Sequence, residues 1–335
     1  MKLGVYLLLL PVLLLTAPRG LRATDPSQEV KSATKQLLGA LGADEPQEVA
    51  YLCPMHSDYT SDKSGKCPRC GMALVRGTPF DMRDYHLDFK TVPAVAKAGQ
   101  KLTLYFTVSH PSTGELVKNF ETVHDKRYHL FIISQDMEYF QHIHPEESKD
   151  GTWSIEATLP KPGAYAVLSD FMPGGGSSQF LARPLITAGY TGDVLAQSAH
   201  LVPDTVQTQT VDDLTATVEY DPKTLVAGAY GHLTFHLKKA GTDQPVTDLQ
   251  TYLGAFGHML TMSEDMVNYV HSHPTDLLPP TQNVEDLRGG PDVMFEGLMP
   301  KPGRYRAWTQ FRYHDKVHTF VNTFEVLDVG QRLPN

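Results

Sequence analysis

The sequence predicts a mainly β protein in which a small Cys3His metal ribbon is followed by two tandem immunoglobulin-like β-sandwich repeats. Three observations predict it. From about Tyr85 onward the chain runs in short alternating apolar stretches split by Gly, Pro, Asp and Asn, the pattern of half-buried strands joined by turns. A long segment of this β region recurs once later in the chain. The chain's 3 cysteines, Cys53, Cys67 and Cys70, crowd into one short window, away from the dispersed, even set of a disulfide-stabilised secreted protein.

The first element is a targeting segment. Lys2 gives a weakly positive start, Leu3 to Leu15 is almost wholly apolar, and a basic patch ends at Leu21-Arg22-Ala23. That length suits a secretory signal over residues 1–23, cleaved near Ala23, better than a transmembrane span of about 20 residues. Its loss removes Lys2, Arg19 and Arg22 and no acid, so the formal charge of −9 becomes −12. A chain this acidic, without a basic stripe, is not expected to bind nucleic acid. No second apolar stretch is long enough for stable membrane insertion. The expected site of action is periplasmic or secreted.

Residues 24–48 read as a polar tether with one weak helical pattern that stops near Gly42. The ribbon, residues 49–80, carries Cys53-Pro54-Met55-His56 and, ten residues on, Cys67-Pro68-Arg69-Cys70-Gly71-Met72. Two knuckles with donors three apart can turn Cys53, His56, Cys67 and Cys70 onto one tetrahedral ion, and thiolates suit Zn²⁺ or Cu⁺. Met55 and Met72 are further candidate donors to a soft ion. The competing expectation is a Cys67–Cys70 disulfide with Cys53 free.

These residues resemble a known family. Tyr51-Leu52-Cys53-Pro54-Met55-His56 with Gly65-Lys66-Cys67-Pro68-Arg69-Cys70-Gly71-Met72-Ala73-Leu74-Val75 is similar to the short heavy-metal-binding module of bacterial metal-resistance proteins. That module occurs on periplasmic adaptors of copper and silver efflux pumps and at the start of copper-transporting ATPases. The resemblance implies heavy-metal handling outside the cytoplasm. It does not extend to transport, because the chain lacks an adaptor's hairpin helices and an ATPase's membrane spans.

The two sandwiches are expected at residues 81–190 and 212–328, with a linker over 191–211. Gly99–Pro145 aligns on Gly228–Pro274 at an offset of 129, and Leu104, Phe106 and Val108 fall on Leu233, Phe235 and Leu237 as one inward-facing alternation. After an insertion, Pro160-Lys161-Pro162-Gly163-Ala164-Tyr165 matches Pro300-Lys301-Pro302-Gly303-Arg304-Tyr305 at an offset of 140. The Tyr of this stretch resembles the residue whose hydroxyl ties a corner back to the backbone in immunoglobulin-like sandwiches.

The duplication also repeats histidines. His129, His142 and His144 recur as His258, His271 and His273 with identical spacing. His142 and His144 share a strand face, and a hairpin turning near Gln135–Met137 can bring His129 opposite them. Neutral imidazoles suit Cu²⁺ and Zn²⁺. The alternative is that both copies keep these histidines to fill the fold. Candidate fourth donors are His314 or His318 in the second repeat, and Met172 or His124 in the first.

The function expected is an exported protein that binds copper or zinc ions, acting as a buffer or as a metallochaperone to an efflux or delivery system. A metalloenzyme built on the three-His sites is a second expectation, weakened by the lack of an obvious general base, since Asp136 and Asp265 sit in the predicted turns. A docking module with a structural zinc ribbon is the third. No cysteine lies in either repeat, which argues against a blue-copper electron carrier.

Overall fold

The computed structural model describes residues 50–54, 56, 59–77, 84–192, 199–275, 278 and 283–330. The expected signal segment, its cleavage site at Ala23, the tether and Met55 lie outside these residues. The described residues fall within one compact unit.

The ribbon is a three-stranded sheet of β1 (Ala50–Leu52), β2 (Thr60–Ser61) and β3 (Val75–Gly77), with β1 central. The first repeat follows as β4 (His86–Val92), β5 (Lys101–Ser109), β6 (Tyr128–Ser134), β7 (Phe140–Ile143), β8 (Glu146–Glu147), β9 (Trp153–Thr158), β10 (Ala164–Phe171) and β11 (Gln179–Ile186). One sheet runs β4-β5-β9-β8 and the other β11-β10-β6-β7. Leu102, Leu104 and Phe106 of the first meet Leu130, Ile132 and Val167 of the second in a single core. In β5 the alternation is clean, with every second residue buried.

The second repeat contains β12 (Thr208–Val211), β13 (Leu214–Asp221), β14 (Leu225–Val226), β15 (Tyr230–Lys239), β16 (Leu249–Gln250), β17 (His258–Ser263), β18 (Tyr269–Ser272), β19 (Arg288–Gly289), β20 (Asp292–Leu298), β21 (Gly303–Tyr313) and β22 (Lys316–Leu327). Its sheets reproduce the first repeat: β12-β13-β15-β20 faces a sheet in which β17 lies between β18 and β21, and β21 pairs with β22. The protein is therefore a ribbon and two tandem immunoglobulin-like sandwiches. The corner tyrosines behave alike: Tyr165 donates to the Lys161 carbonyl at 2.7 Å and Tyr305 to that of Lys301 at 2.8 Å. Both hairpin turns are also the same. Met137 and Met266 take positive φ (59° and 57°), and Ser134 and Ser263 each bond the Asp two residues on.

The β6 and β17 strands do not alternate. Every residue of each is buried, because one face looks into its own sandwich and the other into the neighbouring repeat. Phe131, Ile133 and Leu168 pack there against Leu260, Met262 and Trp308 in a third core between the sandwiches. Phe140 stacks on Trp308 at 4.9 Å with the rings 7° from parallel.

The linker expectation needs correction. Thr208–Val211 form β12, an edge strand of the second sandwich, and the residues before it are anchored. Ala199 and Leu201 are buried in the inter-repeat core, and Asp204 exchanges hydrogen bonds with the Thr323 backbone at 2.8 Å. The polar run Thr208-Gln209-Thr210 reads as linker because an edge strand with one wet face shows little apolar signal.

Removing the Trp308 side chain empties the centre of the shared face. Trp308→Ala is expected to cost about 3–5 kcal/mol, read as a lower urea midpoint, and a loss below about 1 kcal/mol would mean that the repeats barely depend on this contact.

Candidate metal centres

Each knuckle of the ribbon is closed by backbone hydrogen bonds. Tyr59 N–H donates to the His56 carbonyl at 2.9 Å and Cys53 N–H to the Tyr59 carbonyl at 3.2 Å. Gly71 N–H donates to the Cys67 carbonyl and Cys67 N–H to the Met72 carbonyl, both at 2.8 Å. Gly71 sits at φ 72°, where a side chain is strained. The result puts Cys53, His56, Cys67 and Cys70 together, all buried, with one donor atom each within 4.8 Å of the others. Cys53 Sγ lies 3.5 Å from Cys70 Sγ and 3.6 Å from His56 Nδ1, and Cys67 Sγ lies 3.5 Å from that nitrogen. Zinc–sulfur bonds of about 2.3 Å in a tetrahedron put sulfurs about 3.8 Å apart, so the cage needs to open by only a few tenths of an ångström to take an ion. None of the three cysteines is joined in a disulfide, which goes against the disulfide expectation. Contact with Cys53 and burial push the Cys70 thiol pKa up, a cost that a bound cation would offset by holding the thiolate.

One partner of this cage comes from far along the chain. His56 Nε2 faces Glu296 Oε1 of β20 at 3.3 Å, and Arg69 reaches the same oxygen at 2.5 Å while its guanidinium lies 4.2 Å over the Tyr230 ring. A carboxylate on the remote nitrogen keeps the proton there and frees Nδ1 as donor. Met72 packs against the cage. Met172 is buried beside Gly77 at the end of β3, within 3.4 Å of where a Cβ on that glycine would sit.

The histidine triplets form as the duplication implies. In β6–β7 the register pairs Phe131 with His142, so His129, two residues along the strand from Phe131, shares a face with His142 and His144. His129 Nδ1 lies 3.1 Å from His142 Nε2 and 3.3 Å from His144 Nε2. In β17–β18, His258 Nδ1 lies 2.7 Å from His273 Nε2, and the donors of His258, His271 and His273 fall within 4.8 Å of one another. Metal–nitrogen bonds of about 2.0–2.1 Å put the nitrogens of one tetrahedral ion about 3.3 Å apart.

The outward nitrogens decide what these clusters can do. His129 Nε2 donates to the Val123 carbonyl at 2.9 Å, and His258 Nε2 to that of Leu253 at 3.2 Å. His142 Nδ1 donates to Gln310 Oε1 at 2.9 Å, and His271 Nδ1 to Asp170 Oδ2 at 2.6 Å. Gln310 Nε2 in turn faces Thr319 Oγ1 at 3.2 Å, which fixes its oxygen toward His142. Each of these rings thus keeps its proton on the outside and aims a lone pair inward. His271 Nε2 is buried with no hydrogen-bond partner among the described residues. Converging unprotonated nitrogens repel one another and are satisfied by a shared cation.

Burial also keeps six of the clustered rings neutral. It pushes His129 down to about 4 and His144 to about 3, with neighbouring histidines adding to the effect. His124, His142, His258 and His273 are held well below the ordinary value by the same causes.

The proposed fourth donors are not where sequence placed them. His318 pairs with the core residue Phe311, one position off the Thr319–Gln310–His258 face, so it points into the sandwich and faces Asp213 at 3.3 Å. His314, at φ 48° in the β21–β22 turn, bonds Asp213 at 2.6 Å. His124 belongs to the first repeat yet stacks on His273 of the second, with ring centres 3.2 Å apart. Sequence reasoning missed Glu296, Asp170 and Gln310. Asp170 and Gln310 left a trace, since both are polar, precede an equivalent phenylalanine and sit 140 residues apart inside buried strands. Glu296, one exposed-side residue of an alternating strand, left none.

A family described as Domain of unknown function (DUF8832) matches residues 82–182 and 209–328, most of the chain. The chain belongs to this family. Each matched range holds one histidine triplet. A second description, Heavy metal binding domain, matches residues 50–76 and contains all four ribbon donors. The same region is similar to a copper-transporting P-type ATPase of Rhizobium leguminosarum bv. viciae, 55% identical over 29 residues, which is 9% of this chain and 3% of that protein. Similar solved structures include the Yersinia pseudotuberculosis adhesin InvE (11% identity, 72% of this chain and 60% of that one, TM-score 0.23). Others are the Escherichia coli adhesin FdeC (12%, 74% and 66%, TM-score 0.22) and a Salmonella alpha-2-macroglobulin (9%, 73% and 15%, TM-score 0.24). The chain thus spans less than two thirds of these relatives' lengths. It carries a heavy-metal-binding domain whose four donors converge, and the domain and the clusters together support metal-ion binding.

Two outcomes follow from this geometry. Between about pH 6.5 and the folded value of about 4 for His129, the unfolded chain takes up a proton that the fold refuses. Metal-free protein should therefore lose stability as pH falls through that window, by about 1.4 kcal/mol per pH unit for each ring held neutral. Urea midpoints from pH 7 to 4.5 check it, and a flat series would show the rings titrating freely. Glu296→Gln should weaken the ribbon's hold on Zn²⁺ about ten- to a hundredfold in chelator competition, and unchanged affinity would make Glu296 a docking residue only.

Proposed function

We propose that this protein is an exported copper- or zinc-binding factor of metal homeostasis and resistance, a buffer or metallochaperone that hands ions to an efflux or delivery system. The observation that carries the reading is the tautomer control just described: in each triplet two rings bond an acceptor through the outer nitrogen, which turns the other nitrogen inward as a ligand. Three donor clusters in one chain suit storage or hand-over more than a single catalytic centre. The ribbon's thiolates suit Cu⁺ or Zn²⁺, and the imidazoles Cu²⁺ or Zn²⁺.

A catalytic reading needs a base beside an open coordination position. Asp136 and Asp265 are tied into their turns by Ser134 and Ser263, and Asp170 is engaged by His271. Export rests on the apolar run Leu3–Leu15 before a small residue. No helix of the described residues is long and apolar enough to cross a membrane.

Elemental analysis of mature protein saturated with copper or zinc should find one ion for each of the three clusters. Cys67→Ser with Cys70→Ser should remove one, and alanine at His129, His142 and His144 should lower the count again. Hydrolase and oxidase screens of the loaded protein should stay at background. A metal-free protein after saturation overturns the reading, and turnover abolished by His142→Ala puts an enzyme in its place.

A further inference from the structure

The triplets were expected as separate sites, one to a sandwich. They are neighbours instead. Both lie on the faces through which the repeats pack, and their rings intermingle across that boundary. His129 is 5.4 Å from His271 and 6.2 Å from His258 between ring centres, while His142 is 5.9 Å from His258 and 6.2 Å from His271. Those separations are close to the 5.4 Å between His129 and His142 inside one triplet. His124 fills the space between, 5.9 Å from His129, 5.5 Å from His258 and 5.6 Å from His271.

The supporting bonds cross the boundary as well, and they do so reciprocally. His142 of the first repeat is oriented by Gln310 of the second; His271, its counterpart, is oriented by Asp170 of the first, the counterpart of Gln310. Asp170 pairs with His129 on the adjacent strand, and Gln310 pairs with His258. Each repeat therefore positions a ligand of the other from a strand that also frames its own triplet.

We propose that the two histidine triplets are halves of a single paired-ion centre, assembled by docking of the repeats and oriented in trans by Asp170 and Gln310. This rests on the reading of the triplets as metal sites and adds that they fill as a coupled pair. The ligands are two first-row transition-metal ions of the kind imidazole takes, with copper the useful probe. Two cations this close repel, and Asp170, a carboxylate in hydrogen-bond contact with the cluster, offsets part of that repulsion. Coupling is reciprocal by necessity: an ion that orders the shared face for one triplet orders it for the other. Asp170 and Gln310 act as positioning residues, because they touch ligands and not the ions.

The test uses the full mature chain carrying Cys67→Ser and Cys70→Ser, which removes the ribbon's copper. Loaded with two Cu²⁺, it should give an electron paramagnetic resonance spectrum broadened and reduced in integrated intensity by coupling between the two ions. Adding His258→Ala and His271→Ala should leave one ion with an uncoupled spectrum of full intensity. Asp170→Asn, tested where His142→Ala and His144→Ala leave only the second triplet, should weaken Cu²⁺ binding about ten- to a hundredfold without changing the circular dichroism of the fold. Two sharp, uncoupled spins in the fully loaded protein overturn the pairing, even though the metal-site reading survives. Unchanged affinity in Asp170→Asn overturns the orientation in trans. Uptake of no copper at all overturns both the pairing and the reading beneath it.

Discussion

The structure depends on one packing event, the meeting of the β6–β10 face of the first sandwich with the β17–β21 face of the second. Each sandwich already has a complete core between its two sheets. What the docking adds is a third apolar layer, from Phe131 and Leu168 to Leu260 and Trp308. The same layer continues, without a break, into a polar patch of imidazoles. Apolar burial there excludes water, and exclusion of water is what keeps His129, His142, His258 and His273 neutral. Without the second repeat, His142 would lose its Gln310 acceptor and much of its dry surroundings, and His271 would lose Asp170.

The ribbon and the histidine cluster solve the same problem with different chemistry. The ribbon concentrates thiols in a region too small for a core of its own, so Cys53, Cys67, Cys70 and Leu74 are its buried interior. The Arg69–Glu296–His56 contact seats it on β20, and an ion bound by its four donors would add to its cohesion. The sandwiches, by contrast, are stable architectures that spend two strand faces on polar groups. In both places an outer acceptor fixes which ring nitrogen carries the proton. Glu296 serves His56 as Asp170 serves His271 and Gln310 serves His142. The acceptors are backbone carbonyls for the two histidines that begin each triplet, where the chain turns at Val123 and Leu253.

Much of this was written in local pattern. Cys53-Pro54-Met55-His56 with Cys67-Pro68-Arg69-Cys70 states its donors outright, because knuckle ligands lie three residues apart and need no distant partner to converge. Strand periodicity, the corner tyrosines and the duplication, gap-free across both histidine triplets, pointed to the sandwiches and to which histidines share a face. Spacing made the His129–His142 and His258–His273 convergence available, on the condition of a hairpin register that the structure supplies.

Tertiary structure decided everything that lies between elements. Periodicity shows that β6 and β17 are apolar on both sides but not what covers the second side, and no local pattern announces that the two repeats cover each other. His318 was excluded from the second triplet by one step of strand parity, and His124 crossed to the opposite repeat. The residues that orient the ligands, Glu296, Asp170 and Gln310, are separated from them by up to 240 residues of chain. The physical reason is that a ligand's spacing along one hairpin is a covalent property, fixed by the backbone, whereas a second-layer acceptor needs only to arrive at the right point in space. Sequence therefore named the residues that converge, and only the fold could pair the clusters they form.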